Sequence, residues 1–328
     1  MRGLTLHVAI VGAGSLGSVF GVRLAGGGAV RVSFVVRSVP NVPEPIRIEQ
    51  VDGGAEQTLD APVRTASVPA DADVILVCVR FEQIDVRLGA LLSGTRAPVI
   101  TMTPIFPQHY EYLESTLGPD RLFPGMPGIV AYERGGAIRY WLPRMATTLV
   151  EQPERRVPVL DAFSQALEAS GISSRAQAGV HATNIATTFT FVPVMMGIDV
   201  MGSIDLLLAD DGALDLVLRA ADEARQLGRD YGKPTLWADW FVRFMSRSLL
   251  GAWAPKSMVA QSLKLGVAFA RRRSPEGVAY VEEHFGRKLR AQNLQMAEMM
   301  VELFQQRGRS HEAMAELRDR LRAAGSVA

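Results

Sequence analysis

Three glycines, Gly12, Gly14 and Gly17, stand at the G-x-G-x-x-G spacing directly after the apolar run Val8 to Val11. In that pattern the first glycine permits a tight turn and the second lets the backbone approach a pyrophosphate. The third allows the following helix to pack closely on the strand. Ser15 and Leu16 open that helix, whose N-terminal N–H groups and positive dipole end attract phosphate. Arg37 closes a second apolar run, Val30 to Val36. An acidic residue at this place would bond a ribose 2′-hydroxyl, whereas an arginine accommodates a 2′-phosphate, so NADP is the expected cofactor. Arg80 closes a third run, Asp73 to Val79, and would face the same ligand. Thr103, in the loop Thr103-Pro104-Ile105-Phe106-Pro107-Gln108, stands where a nicotinamide and a substrate would meet.

A second group suits proton transfer. His181, Asn184 and Thr188 are spaced i, i+3, i+7 and therefore share one face of a helix. If that face lines a cleft, His181 is the natural proton donor, because its reference pKa of about 6.5 serves acid–base work near neutrality. Asn184 could polarise a carbonyl or imine, and Thr188 could orient it. Lys256 is a rival acid. His109 and Tyr110 follow the Thr103 loop, and His109 is read as opening a surface helix. The Arg271-Arg272-Arg273 cluster reads as a solvated helix end, and no metal site is expected.

The elements that must carry these residues follow from periodicity. Val8–Val11, Val30–Val36, Asp73–Val79 and Ala97–Met102 read as strands of a parallel sheet. Ile46 to Leu59, alternating around Asp52-Gly53-Gly54, suggests a hairpin. Gln83 to Leu92 reads as a helix, Gly125 to Val150 as extended segments, and Arg156 to Ala169 as a helix closing the first domain. Beyond Arg175 the period becomes helical: Gln177 to Phe191, interrupted at Pro193; then Gly212 to Tyr231, Trp237 to Leu250 and Ser257 to Arg271. Phe285 to Gln306 and a final helix from about Ser310 complete the chain. The fold class is α/β: a doubly wound Rossmann domain over residues 1–175 and an all-helical domain over 176–328.

At about 150 residues per domain, 328 residues make two domains. A net charge of +1 gives no reason to expect nucleic acid or a membrane surface as partner. No apolar run reaches bilayer length; Phe189 to Gly202, the nearest, contains Pro193 and Asp199. Cys78, the one cysteine, sits in an apolar strand and cannot form an internal disulfide, so a reducing, cytoplasmic setting is expected. The N-terminal stretch, broken by His7, is not read as a signal peptide.

Gly12-Ala13-Gly14-Ser15-Leu16-Gly17-Ser18, Val35-Val36-Arg37 and Cys78-Val79-Arg80 together resemble the ketopantoate reductase family. The resemblance implies a Rossmann domain and a helical domain like that of 6-phosphogluconate dehydrogenase, with the active site between them. It also implies NADPH held partly by Arg37 and Arg80, and a serine, matched by Ser257, on the substrate carboxylate. The catalytic half departs from the family. Its lysine general acid falls on Asn184 when Pro193 anchors the register, with Thr188 in the place of its asparagine; another register puts Val180 at the lysine. No lysine occurs between Met1 and Gly232. Thr103-Pro104 replaces an Asn-Gly pair, and Gln292 or Asn293 falls where the family carries a glutamate. The expectation is an NADPH-dependent reductase of a C=O or C=N bond on a small molecule larger and more apolar than ketopantoate. The apolar expectation rests on Phe189 to Met196 and on Trp237, Trp240 and Trp253. The alternative is a catalytically silent NADPH-binding sensor or scaffold. The Met-rich helix Phe285 to Gln306 could support a homodimer.

Overall fold

A computed structural model describes residues 5–42, 44–51, 54–143, 146–235, 256–273, 275–285 and 289–325. The chain divides into two compact units, Met1–His181 and Ala182–Ala328. The division falls after Arg175, near which the periodicity changes.

The first unit is built on a sheet whose central strands are β1 (Leu6–Val11), β2 (Val30–Val35), β5 (Val63–Thr65), β6 (Val74–Val77), β7 (Val99–Thr101) and β8 (Leu122–Met126). They are ordered β5-β2-β1-β6-β7-β8, all parallel, and β11 (Thr148–Glu151) and β12 (Ser174–Gln177) extend the sheet beyond β8. β11 runs antiparallel to β8, and β12 runs parallel to β11. This is the doubly wound order, reversing direction at β1. Alternate side chains of β1 serve opposite faces, as a period of two requires. Val8 and Ile10 join Phe20, Phe34 and Phe163 in one core, while Ala9 and Val11 join Ile75, Leu88 and Leu113 in the other. The helices behind these faces are α1 (Ser15–Gly26) and α4 (Pro158–Ala169) on the first, and α2 (Val86–Ser93) and α3 (Pro107–Leu117) on the second.

A smaller sheet contains β3 (Ile46–Gln50), β4 (Gln57–Leu59), β9 (Val130–Arg134) and β10 (Ala137–Trp141), in the order β4-β3-β10-β9. β3 and β4 pair antiparallel, as the hairpin reading requires; Asp52 and Gly53 lie outside the described residues. Three strands were not legible in the periodicity. β5 is only three residues long, β8 carries Pro124 and Gly125, which mask its pattern, and β12 is a short polar strand that reaches Gln177, where the expected helix begins.

The second unit is helical among the described residues. α5 (Val180–Met201) runs unbroken through Pro193, which corrects the expected interruption. Proline removes one helical donor, but Phe189, Val192, Met196 and Ile198 are all buried, and their packing holds the helix together. α5 is also long and apolar enough, by composition, to cross a membrane, which corrects the expectation that nothing reaches that length. However, 67% of its most apolar window is covered by protein. α6 (Ile204–Ala209), α7 (Asp211–Gly228), α8 (Lys256–Arg273), α9 (Pro275–Phe285), α10 (Arg290–Gln306) and α11 (Glu312–Gly325) follow. The anticipated stripe on α10 is buried at Met296, Met300, Leu303 and Phe304, and α10 packs against α11, whose Met314, Leu317 and Leu321 are also buried. The reading of Trp237 to Leu250 as a helix, and Trp253, fall outside the described residues.

Candidate nucleotide site and its surroundings

The pairing register places Val11 beside both Val35 and Val77. The glycine turn after β1 therefore lies between the residues that follow β2 and those that follow β6, at the carboxyl edge of the sheet, the side on which such sheets bind ligands. Each glycine has a distinct reason to lack a side chain. Gly12 has φ +100°, and a Cβ on it would meet the Cys78 carbonyl oxygen at 2.7 Å. A Cβ on Gly17 would lie 2.0 Å from the Gly12 carbonyl oxygen. Gly14 is different, because a Cβ there would meet no atom within 4 Å. That glycine is not needed for packing; the space above it suits a group that must approach the backbone. Gly14 is also the N-cap of α1 and provides no capping side chain, and the first turn, with Ser15 and Leu16, contains no acidic residue. The turn fits a pyrophosphate.

Arg37 is exposed beyond β2, with no partner among the described residues. Arg80 is exposed beyond β6, but its Nε lies 3.0 Å from the Glu82 carboxylate, so it is already ion-paired. Thr103 is buried, and its hydroxyl donates to the Val79 carbonyl. Its side chain therefore ties the loop after β7 to the loop after β6, and its one donor is already used. Cys78 follows β6 as a free thiol, which burial pushes to a higher pKa, so it has little nucleophilic character.

His181 lies in the first turn of α5. Its backbone N–H and that of Gly179 donate to the two oxygens of the Glu151 carboxylate, at 2.8 and 2.7 Å. Its ring stacks on Tyr110 at 4.1 Å between centroids. Burial lowers its pKa to about 4 and leaves Nδ1 without a partner. Burial therefore favours the uncharged imidazole near neutral pH. A helix with an exposed outer face does open here, and His109 stands in its first turn but on the buried side. It is 8% exposed and edge-on to Phe81 at 4.4 Å, with its pKa likewise lowered to about 4 by burial. Burial, with help from Glu114 and Glu151, raises Tyr110 to about 12.

One and two turns along α5, Asn184 and Thr188 meet as the spacing implied. The Thr188 hydroxyl donates to Asn184 Oδ1 at 3.1 Å, and Asn184 is 4% exposed. Asn293, one of the two residues at the family's glutamate position, is buried and donates to Asp199 at 3.0 Å; Arg290 pairs with the same carboxylate. Lys256 and Ser257 begin α8.

Sequence reasoning passed over one arrangement that imitates chemistry. Ser33 Oγ lies 2.9 Å from His7 Nε2, and an Asp71 oxygen lies 3.3 Å from His7 Nδ1. Nδ1 also faces the Asp71 backbone carbonyl at 3.2 Å and the Arg31 guanidinium at 2.7 Å. Both Ser33 and His7 are buried, near the amino end of β1, and the cluster is a structural lock.

Residues 8–139 match the family model described as ketopantoate reductase PanE/ApbA. Over these residues the chain is similar to the ketopantoate reductase family. Its fold is similar over nearly the whole length to several solved structures. The 2-dehydropantoate 2-reductase of Geobacter metallireducens GS-15 is 16% identical, with 97% of this chain and 100% of that one covered at a TM-score of 0.68. D-mandelate dehydrogenase, solved with NADH and anilino(oxo)acetate, is 14% identical over 98% and 99% of the two chains, also at 0.68. The dimeric ketopantoate reductase of Staphylococcus aureus is 12% identical over 97% and 98%, at 0.66. At such identities these likenesses establish the ketopantoate reductase fold. No curated protein matches the chain.

Proposed function

We propose that this protein is an NADPH-dependent reductase of a carbon–oxygen or carbon–nitrogen double bond on a small molecule more apolar than ketopantoate. The observation that carries the reading is the open space over Gly14, flanked by two glycines that admit no side chain. The D-mandelate dehydrogenase structure with bound NADH supports a nicotinamide cofactor. Arg37, exposed and unpaired among the described residues, supports a 2′-phosphate. Arg80 contributes to the extent that it leaves Glu82. When bound, the cofactor supplies the hydride. The backbone at Gly14, Ser15 and Leu16 holds the pyrophosphate. Asn184, its amide fixed by Thr188, orients the acceptor group. The neutral His181 favours a C=N acceptor that arrives already protonated, since such a group asks no acid of the protein. A cytoplasmic location belongs to the same proposal, and so does a homodimer, which the dimeric relative supports.

A second reading is favoured by that same neutral histidine and by the lack of lysine before Lys233: a protein that binds NADPH without turnover. Titration with NADPH and NADH, followed by cofactor fluorescence, tests the first half of both readings. Tight NADPH binding, weak NADH binding and loss of the preference in Arg37→Ala, with a smaller loss in Arg80→Ala, is the expected result. Binding of neither nucleotide overturns both. NADPH oxidation across a panel of ketones and imines then separates reductase from silent binder.

A further inference from the structure

α3 begins directly after the Thr103 loop, at the carboxyl edge of the parallel sheet. Its N-cap is Phe106, which offers no capping side chain, and its first residue is Pro107, which has no N–H. The N–H groups of Gln108 and His109 are thus among the donors a helix N-terminus leaves unsatisfied. No acidic residue occupies this first turn. A second observation is independent of the helix end. His109 is more than nine-tenths buried, yet its Nδ1 has no hydrogen-bond partner, and the same holds for both amide atoms of Gln108. Unpaired buried polar atoms are costly and rare, and each asks for an explanation. Side chains on a helix lean toward its N-terminus, so these first-turn groups lean toward the same end as the free N–H groups. Glu82, in the neighbouring turn, pairs with Arg80 through Oε1, and its Oε2 is buried without a partner.

We propose that the first turn of α3 is a carboxylate-binding subsite, made by the backbone N–H groups of Gln108 and His109, the Gln108 amide and the His109 imidazole. Phe81 and Phe106, packed edge to face at 4.9 Å, form its apolar floor. The subsite uses none of the residues that the family resemblance assigns to a carboxylate. It rests on the reductase reading only for the expectation that its ligand is the substrate. The protonation state agrees: an uncharged His109 can donate from Nδ1, and a bound carboxylate would draw a proton onto the ring.

The test uses the full chain with oxamate and acetate as probes, by calorimetry, with and without saturating NADP. Wild type is expected to bind oxamate, and Gln108→Leu and His109→Phe are each expected to weaken it by about tenfold. NADPH affinity and melting temperature should be undiminished, since each variant removes an unpaired polar group. In wild type alone, NMR titration of His109 should show its pKa rising from about 4 when oxamate saturates the protein. Oxamate binding that requires NADP assigns the subsite to the substrate; equal binding of acetate and oxamate without nucleotide assigns it to a free carboxylate. Either result supports the subsite. Wild type that binds neither probe, variants that bind as wild type does, or an unmoved His109 resonance would overturn it. NADPH binding in the same samples reports separately on the reductase reading.

Discussion

The ring of Tyr110 lies nearly parallel to that of His181, inclined by 26° with centroids 4.1 Å apart. This contact joins the first turn of α3 to His181 and covers one face of the imidazole. Burial lowers the pKa of His181 to about 4, and that of His109 likewise. In the unfolded chain both would titrate near 6.5. The unfolded state therefore binds more protons between these values, so the linked stability is fully present above about pH 6.5 and is lost as the pH falls toward 4. Denaturant melts from pH 7.5 to 4 are expected to show this loss, and the double variant His109→Phe, His181→Phe should flatten it. A profile equally steep in the double variant would count against both histidines.

The three glycines of the turn separate packing from binding. Gly14→Ala adds a methyl group where no atom lies within 4 Å, so the protein should fold with unchanged melting temperature while losing NADPH affinity by an order of magnitude or more. Gly17→Ala drives a methyl into the Gly12 carbonyl and should destabilise the whole domain by roughly 1–3 kcal/mol, through the strain that overpacking imposes. Thermal melts and nucleotide titrations on the two variants would distinguish these effects.

Glu151 holds the start of α5 by accepting from Gly179 and His181. It serves as an N-cap supplied from a neighbouring strand. Glu151→Ala is expected to cost about 1–2 kcal/mol, the range of a lost cap. Glu151→Gln, which keeps one acceptor, should lose less. Urea denaturation measures both.

Asp199 has no exposed side-chain surface and takes hydrogen bonds from Arg290 and Asn293. Asp199→Ala leaves the Arg290 charge without its buried partner and should cost about 3–5 kcal/mol. The variant Asp199→Ala, Arg290→Met removes both charges and should recover much of that loss. A double variant as unstable as the single one would show that the pair is not the source.

The strand-turn-helix of the nucleotide site was legible because each of its parts leaves a local mark: an apolar run, a fixed glycine spacing, an arginine at a strand end. The i, i+4 meeting of Asn184 and Thr188 was legible for the same reason, since helical spacing alone brings them together. The state of His181 was not. Its reference pKa is a property of the residue, but its burial depends in part on Tyr110, seventy-one positions earlier in the chain, and no periodicity encodes that contact. The commitment of Thr103 to the Val79 carbonyl was hidden likewise, because a hydroxyl beside a cofactor loop looks available until its partner is known. Pro193 misled in the opposite sense. It marks a break by local rule, and tertiary packing overrode that rule.

The Thr103–Val79 hydrogen bond has one more consequence. Together with the Phe81–His109 ring contact, it couples the loop after β6, which carries Arg80, to the loop and helix after β7. The two loops are thus tied at two points. A nucleotide that drew Arg80 away from Glu82 would pull on the first turn of α3 through the same two links. Arrival of either ligand would then be felt at the seat of the other.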